Sequence, residues 1–316
     1  MIDPITRRTL GRTGVAVSRL GIGGGSAFGR AGTSGETLLD AAWNAGLRYF
    51  DTAPLYGGGE SERAFGAALA RHPRDAFVLS TKVGRIAERA FDYSAEGVRR
   101  SLADSLARLQ LDRIDVAQIH DVDPDLHGAQ FEQRFDAAMT GAYVALDALR
   151  AQGVLRAVGM GLKDWDVALR MLRAGRFDSV MLAGGYTLLQ HGSLAELLPW
   201  CSAHGVAVLV AAPYNTGILA TGAIAGARYY YQPAPPAIIA RTQAIERVCA
   251  HHGVPLAAAA LQFPLLHPAV AGIVVGHERP EEVARNLALL RHTIAPAFWA
   301  DLKDDGLLPA HAPTAD

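Results

Sequence analysis

The chain has 316 residues, of which 50% are hydrophobic and 19% are charged, so it can bury a large core. Lys and Arg number 30 against 31 Asp and Glu, a formal net charge of −1, and no basic cluster is longer than Arg99-Arg100, which argues against a nucleic-acid partner. No apolar run reaches the ~20 residues of a membrane span and the N-terminus lacks an apolar signal core, so we expect a cytoplasmic protein without a membrane partner.

The N-terminal segment from Arg8 to Leu20 alternates apolar and polar residues around a Gly11 to Gly14 turn, which predicts a short β-hairpin. Such a hairpin would plug the bottom of a barrel. The glycine-rich strand pattern from Leu20 to Gly25 follows. It imitates the dinucleotide loop of a Rossmann fold, but the glycine pattern is incomplete at Ser26 and nine residues separate it from the next helical pattern. We therefore favour a first barrel strand.

Strand and helix patterns then alternate along the chain. The strand patterns cover Leu20 to Gly25, Leu47 to Asp51, Ala76 to Lys82, Ile114 to His120, Leu155 to Met160, Ser179 to Leu182, Val206 to Ala211 and Gly272 to Val275. The helical patterns cover Glu36 to Ala45, Glu60 to Ala70, Ser94 to Gln110, Phe135 to Gln152, Trp165 to Ala174, Leu194 to His204, Ala237 to His252 and Glu281 to Leu290.

Eight strand-helix units demand parallel strands with right-handed crossovers, and eight such strands close into a barrel. No linker divides the sequence. The prediction is an α/β fold, a single (β/α)8 TIM-barrel domain over residues 1–316, with the N-terminal hairpin and an additional C-terminal helix within Pro296 to Leu308.

The two cysteines, Cys201 and Cys249, are far apart in the sequence and carry no paired motif. His251 and His252 stand beside the second cysteine, but no further ligand lies at zinc spacing. We predict two inert thiols, a histidine pair that ends a helix, and neither a disulfide nor a metal site.

Three consecutive strand patterns end in a titratable residue: Asp51, Lys82 and His120. Tyr56 stands in the Pro- and Gly-rich turn after the first of them. Taken singly, each is as well explained by a solvated acid, a strand-end charge or a core histidine. Because neighbouring parallel strands lie ~4.8 Å apart, however, their carboxyl ends share one small pocket. The joint pattern therefore predicts a catalytic pocket at the barrel face where such sites lie.

With these residues the chain resembles the aldo-keto reductases, whose Asp, Tyr, Lys and His tetrad matches Asp51, Tyr56, Lys82 and His120. The resemblance includes the Asp-Thr-Ala-x-x-Tyr-Gly stretch from Asp51 to Gly57 and extends from the turn near Gly11 to Asn286. The run from Ala212 to Leu219 is most similar to bacterial sugar 1-dehydrogenases acting on L-fucose or D-threo-aldoses.

The resemblance implies sites for a nicotinamide cofactor and a substrate. The implied cofactor residues are Gly24, Gly25, Asp51, Pro213, Asn215, Gly217, Ile218, Leu219, Gly276, His277, Glu278, Glu282 and Asn286. The implied substrate residues are Phe28, Tyr56, His120 and Asp121. The chain departs from the family at the carboxamide-binding Ser-Asn pair, which falls near Gly161-Leu162-Lys163, at a glutamine that aligns with Ala183, and at the aromatic residue that stacks on nicotinamide, which aligns with Ala211.

The tetrad has a direct chemical interpretation. A phenol titrates near pH 10, so Tyr56 exchanges protons usefully at neutral pH only where something favours its anion. The Lys82 ammonium is the candidate, and Asp51 would hold it charged. His120 would orient the substrate oxygen and share the proton.

We expect NAD to be preferred over NADP, with NADP possible. The family's NADP-binding pattern has lysine where Gly276 stands and arginine where Glu282 stands, so two phosphate-pairing cations are absent. An acid near the ribose would repel a 2′-phosphate and accept hydrogen bonds from free hydroxyls. In a competing interpretation, Arg279 or Arg285 pairs with the 2′-phosphate. In a third, these charged residues are an ordinary helix start with acids near its N-terminus and have no role in binding.

The sequence thus predicts an NAD(P)-dependent oxidoreductase that moves a hydride between the cofactor and C1 of an aldose such as L-fucose, giving the lactone. The alternatives are a pyridoxal 4-dehydrogenase, a broad aldehyde or ketone reductase, and, remotely, a non-catalytic regulatory subunit of potassium channels. Tyr229 to Tyr231 are either local packing or a lid over a sugar. The oligomeric state is not assigned.

Overall fold

The computed structural model describes residues 2–25 and 35–315, so the predicted substrate contact Phe28 lies outside the described residues. Within them, eight parallel strands close into a barrel, which confirms the predicted fold class. We number these strands β1 to β8. They are Leu20–Gly23 (β1), Tyr49–Asp51 (β2), Val78–Val83 (β3), Val116–His120 (β4), Ala157–Leu162 (β5), Ser179–Ala183 (β6), Ala207–Ala211 (β7) and Val270–Gly276 (β8).

Helices surround the barrel. Their bounds are Gly35–Asn44, Glu60–Leu69, Ala95–Leu109, Phe131–Ala137, Val144–Ala151, Trp165–Ala174, Leu197–His204, Pro236–His252, Leu256–Leu265, Glu281–Arg291 and Pro296–Asp304, with shorter helices at Pro124–His127 and Ile218–Thr221. The predicted helix Phe135 to Gln152 begins earlier, and a π-helical turn, Ala138–Tyr143, interrupts it. The predicted C-terminal helix forms and packs against Pro236–His252. No helix in the described part of the chain is long and apolar enough to cross a membrane.

The N-terminal hairpin closes one end of the barrel, as predicted. Arg7–Thr9 pairs antiparallel with Ala16–Ser18, and the buried residues Leu10, Val15 and Val17 pack against the inner side chains of the strands. A Cβ atom at Gly11 would stand 2.5 Å from the Asp178 carbonyl oxygen. Glycine therefore lets the hairpin turn approach the barrel backbone closely.

Sequence patterning missed one long element, the helix Leu256–Leu265 between Pro236–His252 and β8. Its residues from Ala257 to Leu265 are all buried. A helix that is buried on every side has no polar face and hence no 3.6-residue periodicity to detect. Two prolines, Pro255 before the helix and Pro264 inside it, also argue against a helix in sequence-based prediction, because proline disfavours the helix interior.

Two small hairpins at the carboxyl ends of barrel strands were also not predicted. Arg85–Ala87 pairs with Ala90–Phe91 after β3, and Arg228–Tyr229 pairs with Gln232–Pro233 after β7. Both belong to the loops that border the face on which Asp51, Lys82 and His120 end, so they shape the rim of the predicted pocket.

Candidate active site

A buried ion pair lies at the centre of the site. The Lys82 ammonium donates to Asp51 Oδ2 at 2.6 Å and to the Thr52 carbonyl oxygen at 2.9 Å, and both charged side chains are 3% exposed or less. Burial alone would lower the pKa of Lys82, but the Asp51 carboxylate and Tyr56 outweigh burial and raise it. Lys82 is therefore a fixed cation at neutral pH.

The second carboxylate oxygen of Asp51 has its own partners. Asp51 Oδ1 accepts hydrogen bonds from the Ser80 hydroxyl at 2.6 Å and the Gln118 amide at 3.1 Å. Sequence reasoning missed Ser80 and Gln118, yet a signal existed. They stand two residues before Lys82 and His120, and side chains two apart on a strand share one face. Strand periodicity thus places both inside the barrel, beneath the catalytic groups.

Tyr56 lies against this pair. It opens a 3₁₀ turn, Tyr56–Gly59, in which Gly57, Gly58 and Gly59 all have positive φ. The Lys82 nitrogen is 5.0 Å from the centre of the phenol ring. Burial raises the pKa of Tyr56 to about 12, and the Lys82 cation is the strongest influence in the opposite direction. The predicted coupling is present, but burial outweighs it.

His120 completes the pocket, with its ring edge-on to Tyr56 and the ring centres 5.9 Å apart. Burial, together with the Lys82 and Arg85 cations, lowers the pKa of His120 to about 4, so the ring is neutral at physiological pH. Its Nδ1 has no hydrogen-bond partner among the residues that the structure describes. A neutral imidazole here can donate to, or accept from, a substrate oxygen.

Asp121 borders the pocket beside His120. Its backbone φ is 56°, an uncommon value for a residue with a side chain. One carboxylate oxygen lies 3.4 Å from His120 Nε2 and 2.6 Å from the Arg85 guanidinium. Burial opposes ionisation of Asp121, but His120 and Arg85 lower its pKa overall. The predicted substrate contact is thus an ionised, anchored carboxylate at the edge of the site, and Arg85 was not foreseen.

A second buried acid, Asp123, ties neighbouring loops together. Its Oδ1 accepts the backbone N–H groups of Lys163 and Asp164 at 2.9 and 2.8 Å. Burial raises the pKa of Asp123 to about 7. The segment after β5, where the sequence departs from the family's Ser-Asn pair, is therefore positioned through its backbone by an acid from the loop after β4.

The two glycines after β1 have different surroundings. A Cβ atom at Gly24 would meet the Ser61 hydroxyl at 2.1 Å, so this glycine permits close packing against the helix Glu60–Leu69. A Cβ atom at Gly25 would lie 3.6 Å from the hydroxyl-bearing carbon of Tyr56. Of the two predicted cofactor contacts, Gly25 borders the reacting phenol.

The loop after β7 is shaped by its backbone conformation. Ala212, Asn215 and Thr216 have positive φ values of 50°, 46° and 65°, and Gly217 has 112°. The Asn215 side chain is buried, where it accepts from the Thr187 hydroxyl at 2.6 Å and donates to the Gly184 carbonyl oxygen at 3.3 Å. A Cβ atom at Gly217 would meet nothing within 4 Å. Asn215 thus fixes the loop, and the backbone at Gly217 faces open space.

Other predicted cofactor residues in these loops contribute through their backbone or by packing. Pro213, Ile218 and Leu219 are buried, whereas Gly276 is exposed at the end of β8. Ile218 and Leu219 are fully inside the core. The side chains of Pro213, Ile218 and Leu219 are therefore unavailable to a ligand.

A hydrogen-bonded chain joins the loops after β7 and β8. The Tyr214 hydroxyl donates to Asn286 Oδ1 at 2.8 Å, and the Asn286 amide lies 3.0 Å from His277 Nε2. His277 Nδ1 lies 3.1 Å from the Val275 carbonyl oxygen, which assigns the proton to Nδ1. Burial lowers the pKa of His277 to about 4. The side chains of the predicted cofactor residues His277 and Asn286 thus bond to the protein and clamp two loops.

Glu282 folds back over the loop that precedes its helix. Its carboxylate accepts the Glu278 backbone N–H at 2.8 Å and lies 3.7 Å from the Arg279 guanidinium. The side chain of Arg279 is 73% exposed. The acid predicted to face the ribose is therefore held at the helix start, with Arg279 drawn towards it.

The histidine pair of the sequence analysis lies at the end of Pro236–His252, as predicted. His252 Nε2 is 2.7 Å from an Asp301 carboxylate oxygen, and the ligand atoms of His251, His252 and Asp301 lie within 4.8 Å of one another. The His252–Asp301 contact connects this helix to the C-terminal helix.

Comparison with known proteins gives one consistent result. The profile of the aldo/keto reductase family matches residues 19–304. The chain is 37% identical to a pyridoxal 4-dehydrogenase of Microbacterium luteolum, over 96% of this chain and 98% of that protein. It is also 37% identical to a D-threo-aldose 1-dehydrogenase of a Pseudomonas species, over 94% and 96% of the two chains. The holo form of an aldo-keto reductase from Bacillus halodurans superposes with a TM-score of 0.79 at 27% identity, covering 97% of each chain.

Proposed function

The chain belongs to the aldo/keto reductase family, and from this premise we propose that it oxidises C1 of an aldose, such as L-fucose or another D-threo-type aldose, to the lactone, with NAD as the preferred cofactor. That it is an oxidoreductase with a nicotinamide cofactor follows from the family. The substrate and the choice of NAD are our proposal. The observation that carries the oxidoreductase chemistry is the convergence of Tyr56, the Lys82–Asp51 pair and neutral His120 at one end of the barrel.

The arrangement provides a proton path for alcohol oxidation. Tyr56, as its anion, takes the proton of the C1 hydroxyl, and the Lys82 cation stabilises the charge on the phenol oxygen. Neutral His120 holds the same substrate oxygen by a hydrogen bond. When bound, the nicotinamide cofactor supplies the hydride acceptor at its C4 carbon. In the reductive direction the phenol returns the proton to the carbonyl oxygen.

The residues on the other side of the barrel fit such a cofactor. The open backbone at Gly217 allows a pyrophosphate to approach the main chain closely. The clamp formed by Tyr214, Asn286 and His277 holds that loop against the start of Glu281–Arg291, where the adenosine would lie. These segments would bind and orient the cofactor so that its reactive ring faces Tyr56 and His120.

The rim of the pocket supports a polyhydroxylated substrate. Asp121, anchored by Arg85, presents a carboxylate beside His120, and a carboxylate accepts hydrogen bonds from hydroxyl groups next to the reacting carbon. A substrate without neighbouring hydroxyls would forgo these additional hydrogen bonds to the carboxylate, which favours a polyhydroxylated substrate over it. The similarity to a D-threo-aldose 1-dehydrogenase supports the same substrate class.

The equally similar pyridoxal 4-dehydrogenase makes pyridoxal the second candidate. Aldoses and pyridoxal share a chemical property, because each closes on its own hydroxyl to a cyclic hemiacetal whose oxidation gives a lactone. The tetrad would serve either substrate. The two differ in what surrounds the hemiacetal, hydroxyl groups in the sugar and an aromatic ring in pyridoxal.

A substrate panel tests the proposal. Initial rates of NADH formation are measured with L-fucose, its mirror image D-fucose, pyridoxal and a simple primary alcohol, and the lactone is identified by its reaction with hydroxylamine. We expect kcat/KM for L-fucose to exceed that for D-fucose at least tenfold, about 1.4 kcal/mol of discrimination. A tenfold advantage for pyridoxal would favour the second candidate. Turnover of none of the four compounds would reject both.

The preference for NAD is tested at the helix start. We expect kcat/KM with NAD to exceed that with NADP, because the Glu282 carboxylate, held at the helix start by the Glu278 backbone N–H, would repel a 2′-phosphate bound beside it. Glu282→Arg should move the ratio of the two cofactors towards NADP by about tenfold. Glu281→Arg, an equal charge change at the neighbouring exposed acid, is the matched control. A wild-type preference for NADP would show that Arg279 or Arg285 lines the pocket instead.

A further inference from the structure

The hairpin after β7 carries an unusual turn. Arg228–Tyr229 pairs with Gln232–Pro233, so Tyr230 and Tyr231 are the two turn residues between the paired positions Tyr229 and Gln232. Both have positive φ, 46° and 63°. Hairpin turns with positive φ at both central residues are usually built from Asn and Gly. A bulky residue in this conformation is strained and persists only where its surroundings hold it there.

The surroundings do hold the turn. The Tyr230 hydroxyl donates to the Gly184 carbonyl oxygen at 3.1 Å. The Arg228 guanidinium donates to the Tyr231 carbonyl oxygen at 2.6 Å, and the Tyr231 backbone N–H lies 3.4 Å from the Thr216 hydroxyl. The Tyr231 side chain is 71% exposed, whereas Tyr230 is half-buried. The strained backbone thus directs one ring, that of Tyr230, into the protein.

The Tyr230 ring lies beside the carboxyl ends of β6 and β7. A Cβ atom at Gly184 would stand 3.2 Å from a ring carbon of Tyr230 and 3.3 Å from the Asn215 amide nitrogen. The Gly184 backbone N–H donates to the Ala211 carbonyl oxygen at 2.8 Å. The ring therefore occupies the corner formed by the residue after β6, the end of β7 and the loop that Asn215 fixes.

At this corner the strand ends themselves offer only small side chains. Ala183 ends β6 and Ala211 ends β7, and both are half-buried methyl groups. A flat, electron-poor ring such as nicotinamide needs an apolar face to lie against, and a methyl group covers little of it. Position 211 thus carries no large side chain, and the Tyr230 ring lies beside Gly184, whose backbone N–H bonds to the Ala211 carbonyl oxygen.

We propose that the ring of Tyr230 forms the aromatic face against which the nicotinamide ring of the cofactor rests, in place of a side chain at position 211. This inference rests on the proposed function as a nicotinamide-dependent enzyme. The hydrogen bond from the Tyr230 hydroxyl to the Gly184 carbonyl oxygen helps to fix the ring plane. The strained hairpin turn is what allows a residue of a neighbouring loop to place its ring at this position. Burial, Tyr229 and the carboxylates of Asp123 and Asp125 raise the pKa of Tyr230, which keeps the phenol neutral.

The test measures cofactor binding without any substrate. Dissociation constants of NADH are obtained by fluorescence titration for the wild type, Tyr230→Phe, Tyr230→Leu and Tyr231→Ala. We expect Tyr230→Phe to bind within twofold of wild type and Tyr230→Leu, which keeps bulk but loses the aromatic face, to bind about tenfold more weakly. Tyr231→Ala removes the neighbouring exposed ring and should leave binding unchanged.

A restoration experiment sharpens the result. Adding Ala211→Tyr to Tyr230→Ala should regain most of the lost affinity, because an aromatic ring returns to the same face from the end of β7. The same Ala211→Tyr substitution in the wild type should weaken binding, because two rings then compete for one corner. Melting temperatures identify any variant that does not fold. If Tyr230→Ala does not fold, the comparison of Tyr230→Phe with Tyr230→Leu still tests whether the aromatic face binds the nicotinamide ring.

Several results would overturn the inference. Equal NADH affinity of Tyr230→Phe and Tyr230→Leu would mean that the aromatic face contributes nothing. Unchanged NADH binding with a raised KM for the sugar would place the ring in the substrate pocket. A wild-type protein that binds neither NADH nor NADPH would instead reject the proposed function itself, whatever the role of Tyr230.

Discussion

The two sides of the pocket are built in different ways. At the ends of β2, β3 and β4, the groups proposed to perform the chemistry are side chains, each held by its own strand: Asp51, Lys82 and His120. At the ends of β6, β7 and β8, buried side chains such as Asn215 and Asn286 bond to other parts of the protein. The backbone at Gly217 faces open space there. One side depends on the identity of its titratable groups, and the other largely on backbone conformation.

Because of this difference, we expect substitutions on the two sides of the pocket to change different measured quantities. On the acid-base side, removing one functional group removes a chemical step, so the rate should fall by orders of magnitude while cofactor binding is preserved. On the cofactor side, removing one hydrogen bond leaves the main chain in place, so the loss should be modest and confined to binding. The three predictions below test this contrast in order of decreasing effect.

The largest effect is expected for Tyr56→Phe. The ring keeps its packing against His120, but the exchangeable proton is gone, so kcat for sugar oxidation should fall by about 10²–10⁴-fold. The dissociation constant of NADH should stay within twofold of wild type. Stopped-flow hydride transfer and fluorescence titration measure the two quantities separately. Turnover near the wild-type rate would exclude Tyr56 as the proton-transferring group.

An intermediate effect is expected for Lys82→Met. Burial raises the pKa of Tyr56 to about 12 despite the opposing Lys82 cation, so removing that cation should raise the pKa further. Oxidation requires the phenol anion and speeds up as the pH rises. The rising limb on the acid side of the kcat profile should therefore move to higher pH, by about one pH unit or more, with a tenfold loss in rate per unit at a given pH.

The Lys82→Met variant needs a control for stability, because it leaves the Asp51 carboxylate buried without its partner. Lys82→Met combined with Asp51→Asn removes the unpaired charge while still lacking the cation. If the coupling operates through Lys82, both variants should show the displaced limb, with the smaller displacement in the double variant because the Asp51 carboxylate itself raises the pKa of Tyr56. An unmoved limb in two folded variants would contradict the role assigned to the lysine.

The same contrast explains what the sequence could and could not reveal. The tetrad was predictable because strand ends and their residue types are local features, and eight strand-helix alternations determine a barrel by counting. Ser80 and Gln118 could also have been predicted from strand periodicity, since they stand two residues before Lys82 and His120.

Other features depend on tertiary structure. The contact of Arg85 with Asp121 crosses from the loop after β3 to the loop after β4. The positive φ of Thr216 and Tyr230 has no composition signal, because glycine or asparagine normally marks such positions. The conformation of the cofactor loops therefore could be known only from the three-dimensional structure. The positions of the proposed catalytic side chains at strand ends could be predicted from the sequence.

The smallest effect is expected at the clamp between the two cofactor loops. Tyr214→Phe removes the hydroxyl that donates to Asn286 Oδ1 at 2.8 Å but leaves the ring and the Asn286–His277 contact. A single hydrogen bond contributes about 0.5–1.5 kcal/mol, so KM for NAD should rise by roughly two- to tenfold with kcat unchanged. The physical reason is that the loop carrying Gly217 becomes less tightly held, while the tetrad is untouched.

Tyr143→Phe is the matched control for this prediction. It removes a hydroxyl that accepts the Arg176 backbone N–H at 2.7 Å, a bond of similar length that joins no cofactor loop. Both variants should lower the melting temperature slightly, but only Tyr214→Phe should change KM for NAD. If Tyr214→Phe lowered kcat as much as it raised KM, the clamp would also position the reacting groups, and the division between the two sides of the pocket would fail at this residue.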